Sequence, residues 1–393
     1  MTKFRQVVAA ALIASSLAVA ACGAAASPSP SPSPVASSTP GASPAESGGA
    51  TACAVGTSHI GIPATNAGAL FEQMEPAENA SKVDTSRFKR NGPYTIGFSD
   101  WGLVNSHRVQ TRQSMLMLAP LLKVTLRITD AGGDANKQIA DVDDLLTQNI
   151  DALVIAPAVA NALGPAIDRA AAKGIPVVVF QSSPGTDKYT SYIHTRDEDF
   201  GSVGMKKLAE DMGGRGNLIA LRGVAGNPVE TARYNGMRSV LDKYPDIKLV
   251  GEDYGDWNED KGKAITQNLL AANPQIDGVW SSGAAMTKGA ISAFQEAGRP
   301  LPPMSGEHLN GFLKLWLKLG LKSVAPVYPT WMGPEALKVA VLALQGQCVY
   351  NEYVPNPPPI TNSELSSAVK PNLSDDYWVE GYLTDEQAKQ IFP

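Results

Sequence analysis

The sequence predicts an α/β protein built as two doubly wound parallel-sheet lobes with a ligand cleft between them. Three observations carry that expectation. From Tyr94 onward, β-prone runs that end in Gly or a small polar residue alternate about five times with segments of helical spacing. A second, similar set begins at Asp197. A chain of 393 residues, 44% hydrophobic and 18% charged, can bury one large core or two ordinary ones. Repeated βα units give a parallel sheet, and such sheets bind ligands in the crevice outside the carboxyl ends of their strands.

Everything before Tyr94 reads as delivery. Lys3 and Arg5 form a short positive region, Val7 to Ala21 is apolar and small, and Cys22 follows Leu17-Ala18-Val19-Ala20-Ala21. This has the form of a signal peptide ending before a cysteine. It resembles the bacterial lipoprotein box, in which Cys22 is acylated and becomes the new N-terminus; the alternative is an ordinary secretory signal with a spare thiol. Ala24 to Ala50 is nearly all Ser, Pro, Ala and Gly, a composition that buries no core and behaves as a semi-extended tether. Residues 51–93 are of mixed composition and are left unassigned. Removing Lys3 and Arg5 from the 33 basic residues leaves 31 against 38 acidic ones, a net charge of −7. That balance excludes a nucleic-acid surface, which needs a basic face. No later apolar run reaches the ~20 residues that a spanning helix requires.

The body follows in order. Tyr94, Ile96 and Phe98 alternate as a first strand, which breaks at Ser99-Asp100-Trp101-Gly102 and leads to a helix over 104–118, ended by Pro120. Val124, Leu126 and Ile128 mark the second strand, and Asp134 is placed to cap the next helix, whose Ile139, Val142, Leu145 and Leu146 share a face. Strands follow at Asp151 to Pro157, Ile175 to Phe180 and Tyr189 to His194. The second set places strands at Asn217 to Leu221, Lys248 to Tyr254 and Gly278 to Ser281, with helices over 197–212, 229–244, 260–273 and 284–296.

The chemistry at the strand ends points to binding. Ser99, Asp100, Gln181, Arg233, Asp256, Trp257, Glu307 and His308 offer donors, acceptors and an aromatic face, which suit a polyhydroxylated small molecule. They form no catalytic set. Gly97 to Gly102 has the wrong spacing for a nucleophile elbow, no phosphate loop occurs, and His59, His107, His194 and His308 are scattered without metal-ligand spacing. No enzyme activity, cofactor or metal is therefore expected.

The succession IGFSDWG…HR, DAGGDANKQIADVDDLL, DALVIAP, GIPVVVF, LRGVAGNPVETARYNGM, GDWNEDKGKAITQNLLAANPQIDGVW and VYPTWMGPEAL resembles the type I periplasmic binding proteins of sugar ABC transporters, in the ribose and galactofuranose branch. The resemblance spans residues 94–345. It implies two Rossmann-like lobes joined by three hinge strands that close on one sugar. The lobes are expected at 94–195 with 284–325 and at 196–283 with 326–393.

By motif, Arg108 matches an arginine of the first ligand loop, and His107 stands where relatives carry a stacking aromatic. Arg233 matches an arginine that grips sugar hydroxyls, and Trp257 an aromatic platform. Three positions depart from the pattern: Gln181-Ser182 replace Asp-Arg, Gly283-Ala284 replace Asn-Asp, and Glu307-His308 stand near a usual Asp. The expected ligand is a monosaccharide or polyol, and the three departures leave its identity open. The implied partners are the permease subunits of an ABC transporter, and the implied location is the cell surface or periplasm, as a monomer lipid-anchored to the outer face of the cytoplasmic membrane. A sugar-sensing receptor for a chemoreceptor or sensor kinase is the alternative. Once Cys22 is lipidated, Cys53 and Cys348 are the thiols left in an oxidising exterior, and a disulfide between them is expected. Two separate buried cysteines are the alternative.

Overall fold

The structure, a computed structural model, describes residues 74–379 and 382–393. The signal segment, the tether, Cys22, Cys53 and His59 lie outside the described residues. Two parallel sheets organise the chain.

The first lobe contains β2 (Tyr94–Asp100), α1 (Ser106–Leu118), β3 (Val124–Asp130), α2 (Ala135–Thr147), β4 (Ala152–Ile155), α3 (Ala160–Ala172), β5 (Val177–Phe180) and β6 (Ser191–Ile193). Its six-stranded sheet has the order β13-β6-β5-β4-β2-β3, where β13 (Glu352–Tyr353) comes from far along the chain. β4 and β5 are buried on both faces, which is why they read as continuous apolar runs. Asp134 caps α2 by accepting from the Asn136 and Lys137 N–H groups at 2.8 and 3.2 Å.

The second lobe contains α4 (Asp197–Asp211), β7 (Gly216–Arg222), α5 (Pro228–Leu241), β8 (Ile247–Tyr254), α6 (Glu259–Ala272), β9 (Gly278–Ser281), α7 (Ala284–Glu296), β10 (Met304–Ser305), α8 (Asn310–Leu319) and β11 (Ser323–Val324). The sheet order is β11-β10-β9-β7-β8. The expected division between lobes is reversed for 284–325 and for 332–353, while Leu365–Ala368 packs on the second lobe as expected. Met304 pairs in parallel register with Val279 and with Ser323, so 284–325 completes the second sheet rather than the first. The return to the first lobe comes afterwards. α9 (Met332–Leu344), all of whose residues are buried, packs on α1, β4 and β5, and β13 pairs with β6.

As far as residue 360, the described residues cross between the lobes three times: between Ile193 and Asp197, between Val324 and Met332, and after Tyr353, where Ile360 forms a bridge with Ala325. Beyond them, α10 (Leu365–Ala368) packs on α8, and α11 (Asp385–Ile391) packs on α1. Part of the unassigned 51–93 stretch is also fixed. β1 (Lys82–Val83) pairs antiparallel with β12 (Val349–Tyr350), and the Arg90 N–H donates to the Leu344 carbonyl at 2.9 Å.

Candidate functional site

The carboxyl ends of both sheets face a cavity of about 80 Å³, several times the ~10–15 Å³ that one water needs. Its wall includes His107, Arg108, Gln181, Arg233, Trp257 and Glu307.

On the first lobe, β2 delivers the chain to α1, whose first turn is capped by Asn105 accepting from the Arg108 N–H at 3.1 Å. That cap sets His107 and Arg108 at the cavity. Arg108 is buried, donating to Gln181 Oε1 through Nη1 and to Asp100 Oδ1 through Nη2. Asp100 is buried beneath it and also pairs with Arg112 at 2.8 Å. Two donors stay over: Arg108 Nε and Gln181 Nε2 are buried without a hydrogen-bond partner. Gln181 holds a left-handed backbone, φ +66°, while its N–H still donates to the Ile193 carbonyl at 2.8 Å. Strain at a strand end is what a fixed side-chain direction costs. Burial holds the His107 imidazole well below its usual pKa, so the ring is neutral and its Nε2–H donates to the Tyr328 carbonyl at 2.9 Å.

On the second lobe, Arg233 is buried with its guanidinium 3.6 Å above the Phe200 ring. Nη1 donates to the Ser282 carbonyl at 2.6 Å and Nη2 to Glu307 Oε1 at 3.3 Å, while Nε stands 3.5 Å from Asp197 Oδ1. Burial raises the Glu307 carboxyl and lifts Asp197 to about 6, with Arg233 opposing both shifts. Trp257 takes φ +52° after Asp256 at +53°. Its indole lies in a slot that only glycine leaves open. A Cβ on Gly223 would stand 2.3 Å from the ring and one on Gly283 2.7 Å.

Four expected residues do not line the cavity. Ser99 follows Gly97 on the face of β2 toward α2, where a Cβ at 97 would meet Ile150 and Leu145, so period-two alternation turns it away. Asp100 backs Arg108. His308 stands edge-on to Trp378, with ring centroids 5.1 Å apart, behind the wall. Asp256 pairs instead with Lys261 at the surface.

The wall also includes Trp101, Asn227, Tyr328 and Trp378, which sequence reasoning missed. Asn227, like Asn105, is an N-cap at the carboxyl end of a strand, a signal that was present. Tyr328 lies in a crossing and Trp378 beyond the repeated units, where no βα pattern points to the cleft. Among the described residues, no group of three or more His, Cys, Asp or Glu is placed to hold a metal, and no helix is long and apolar enough to cross a membrane.

Two parallel-sheet lobes with polar and aromatic strand ends converging on one cavity define a bilobal binding protein. The chain belongs to the periplasmic binding protein domain family, which it matches over residues 96–348. It is 31% identical over 254 residues to the xylitol-binding protein of Mycolicibacterium smegmatis, covering 64% of this chain and 68% of that one. It is 28% identical over 228 residues to the ribose import binding protein of Bacillus subtilis, covering 58% and 73%. Among solved structures, the fructose-binding periplasmic domain of a hybrid two-component system superposes with a TM-score of 0.64 at 26% identity, covering 70% of this chain and 92% of that one.

Proposed function

We propose that this protein captures a neutral monosaccharide or polyol by closing its two lobes, without turnover, and delivers it to the permease of an ABC transporter. The observation that carries this reading is that the buried arginines are already paired beside free donors. Arg108 and Arg112 share Asp100, Arg112 also meets Asp130, and Arg233 meets both Glu307 and Asp197, so an anionic ligand would bring an uncompensated charge into a buried site. Arg108 Nε and Gln181 Nε2 meanwhile offer hydrogen bonds that hydroxyl groups satisfy. The xylitol- and ribose-binding relatives support the same ligand class.

The export signal and tether fit a monomer acylated at Cys22 and held on the outer face of the cytoplasmic membrane. A Cys22→Ser variant then leaves the membrane fraction. A second reading, a sugar sensor acting on a kinase, is favoured by the likeness to a two-component periplasmic domain. Uptake of labelled ligand by cells lacking the gene separates the two, since only the transport reading requires uptake to fall.

Thermal shift against a panel of sugars, polyols and amino acids tests the ligand class. A ligand at 100 times its dissociation constant stabilises by about 2.7 kcal/mol. A response confined to charged amino acids or peptides would overturn the sugar reading.

A further inference from the structure

The family match ends at residue 348, yet the chain returns to the cleft after that point. We propose that segment 374–379 is a fourth connection between the lobes, and that Trp378 on it forms a wall of the ligand site and limits how far the cleft opens.

Trp378 is held from both sides. Toward the second lobe, the Val379 N–H donates to the His308 carbonyl at 3.0 Å, the Asn310 N–H to the Tyr377 carbonyl at 2.8 Å, and the Gly311 N–H to the Asp375 carbonyl at 2.9 Å. Asn310 Nδ2 adds a bond to the Ser374 carbonyl at 3.0 Å. Toward the first lobe, the Trp378 N–H donates to Gln110 Oε1 at 2.9 Å, and Gln110 Nε2 returns a bond to the Trp378 carbonyl at 3.0 Å. The indole Nε1 donates to Ser106 Oγ at 3.0 Å, in the first turn of α1.

The ring is thereby fixed at the cavity, 5% exposed, between the edges of His107 and His308. Its body is apolar and its N–H is already used, so the face it offers is a surface for C–H groups of a ligand. A hinge motion that parts the lobes must break one of these two sets of hydrogen bonds or bend the segment between them. Gln110 is fully buried and does not line the cavity; besides its two bonds to Trp378 it donates to Thr330 Oγ1 at 3.1 Å, in the second crossing, so it acts on the connections between the lobes and not on the ligand.

The wall rests on the ligand-binding reading above; the connection does not. Full-length wild type, Trp378→Ala, Trp378→Phe and Gln110→Ala are compared by calorimetric titration with xylitol, D-ribose and myo-inositol, and by small-angle scattering without sugar. Trp378→Ala is expected to weaken the tightest of the three by at least about tenfold, with Trp378→Phe keeping most of the affinity. Gln110→Ala is expected to enlarge the sugar-free radius of gyration. Should Trp378→Ala not fold, the Phe and Gln110 variants carry the comparison. Equal affinity in all variants overturns the wall, and an unchanged radius of gyration in Gln110→Ala overturns the connection. If wild type binds none of these three, the sugar or polyol found by thermal shift replaces them in the titration; no response to any sugar or polyol overturns the sugar reading and the wall with it, while scattering still decides the connection.

Discussion

The carbonyl oxygen of Ser282 accepts from Arg233 Nη1 at 2.6 Å, and the same oxygen accepts from the Trp257 indole at 3.1 Å. A cation and an aromatic platform of the second lobe are thus registered to one peptide group at the end of β9, and neither is adjusted independently of the other.

Arg233→Ala is expected to weaken ligand binding by at least about tenfold, since a hydrogen bond from a charged donor contributes about 1.5–3 kcal/mol. Folding suffers too. Asp197 and Glu307 are left buried without their cation, and breaking such a pair costs about 3–5 kcal/mol. Both carboxyl groups already have raised pKa values, so acid neutralises them. The deficit against wild type, measured by chemical denaturation, should therefore be smaller at pH 5 than at pH 7.5.

Gln181 separates backbone from side chain. Both Gln181→Ala and Gln181→Gly remove the unpartnered amide, and titration should find comparable losses of affinity. Only glycine accepts φ +66° without penalty, so the Gly variant should be more stable than the Ala variant by about 1 kcal/mol. Equal melting temperatures would remove the strain argument.

Glu335 lies in α9, fully buried, with Oε1 2.6 Å from Lys338 Nζ and Oε2 unpartnered. Burial lifts its carboxyl from 4.5 to about 7. The folded state therefore holds a proton that the unfolded chain has already released, so this contribution is present below pH 4.5 and lost as pH rises through about 7. At about 1.4 kcal/mol per unit, the change is on the order of 3 kcal/mol. Glu335→Gln should flatten the stability profile between pH 5 and 8; an unaltered slope would assign it to other groups.

Cys348 is buried and disulfide-bonded. Its expected partner is Cys53. Peptide mapping without reduction should recover the two in one linked species, and reduction should lower stability by about 2–4 kcal/mol. Two alkylatable thiols in the exported protein would exclude the bridge.

The elements were legible because each β-strand is short, apolar and closed by a small polar turn; Gly278–Ser281 and the Asp134 cap can be read without ambiguity. Gln181, Arg233 and Trp257 were legible at strand ends and Arg108 through the motif it matches, and the structure brings all four to one cavity. Lobe membership after residue 283 was not. A two-residue strand such as Met304–Ser305 has no periodicity of its own, and its sheet is fixed only by pairing with Val279 and Ser323. Ser99 failed for a different reason: in a strand buried on both faces, alternation does not announce which face meets the ligand. Trp378 reaches the site through bonds to Gln110 and Leu309's neighbours, across more than 260 positions in the case of Gln110, and local sequence holds no trace of such a contact.

The two lobes are unequal in time as well as in space. Every strand of the second sheet lies in one uninterrupted stretch, from Gly216 to Val324, whereas the first sheet needs β13 and the cover of α9. On a ribosome, which delivers the N-terminal side first, the first lobe begins earliest and is finished last. Its β4 and β5 keep an uncovered apolar face until Leu344 has emerged. That face is open to any chaperone that meets the emerging chain, and the second sheet has all its strands before the first is complete.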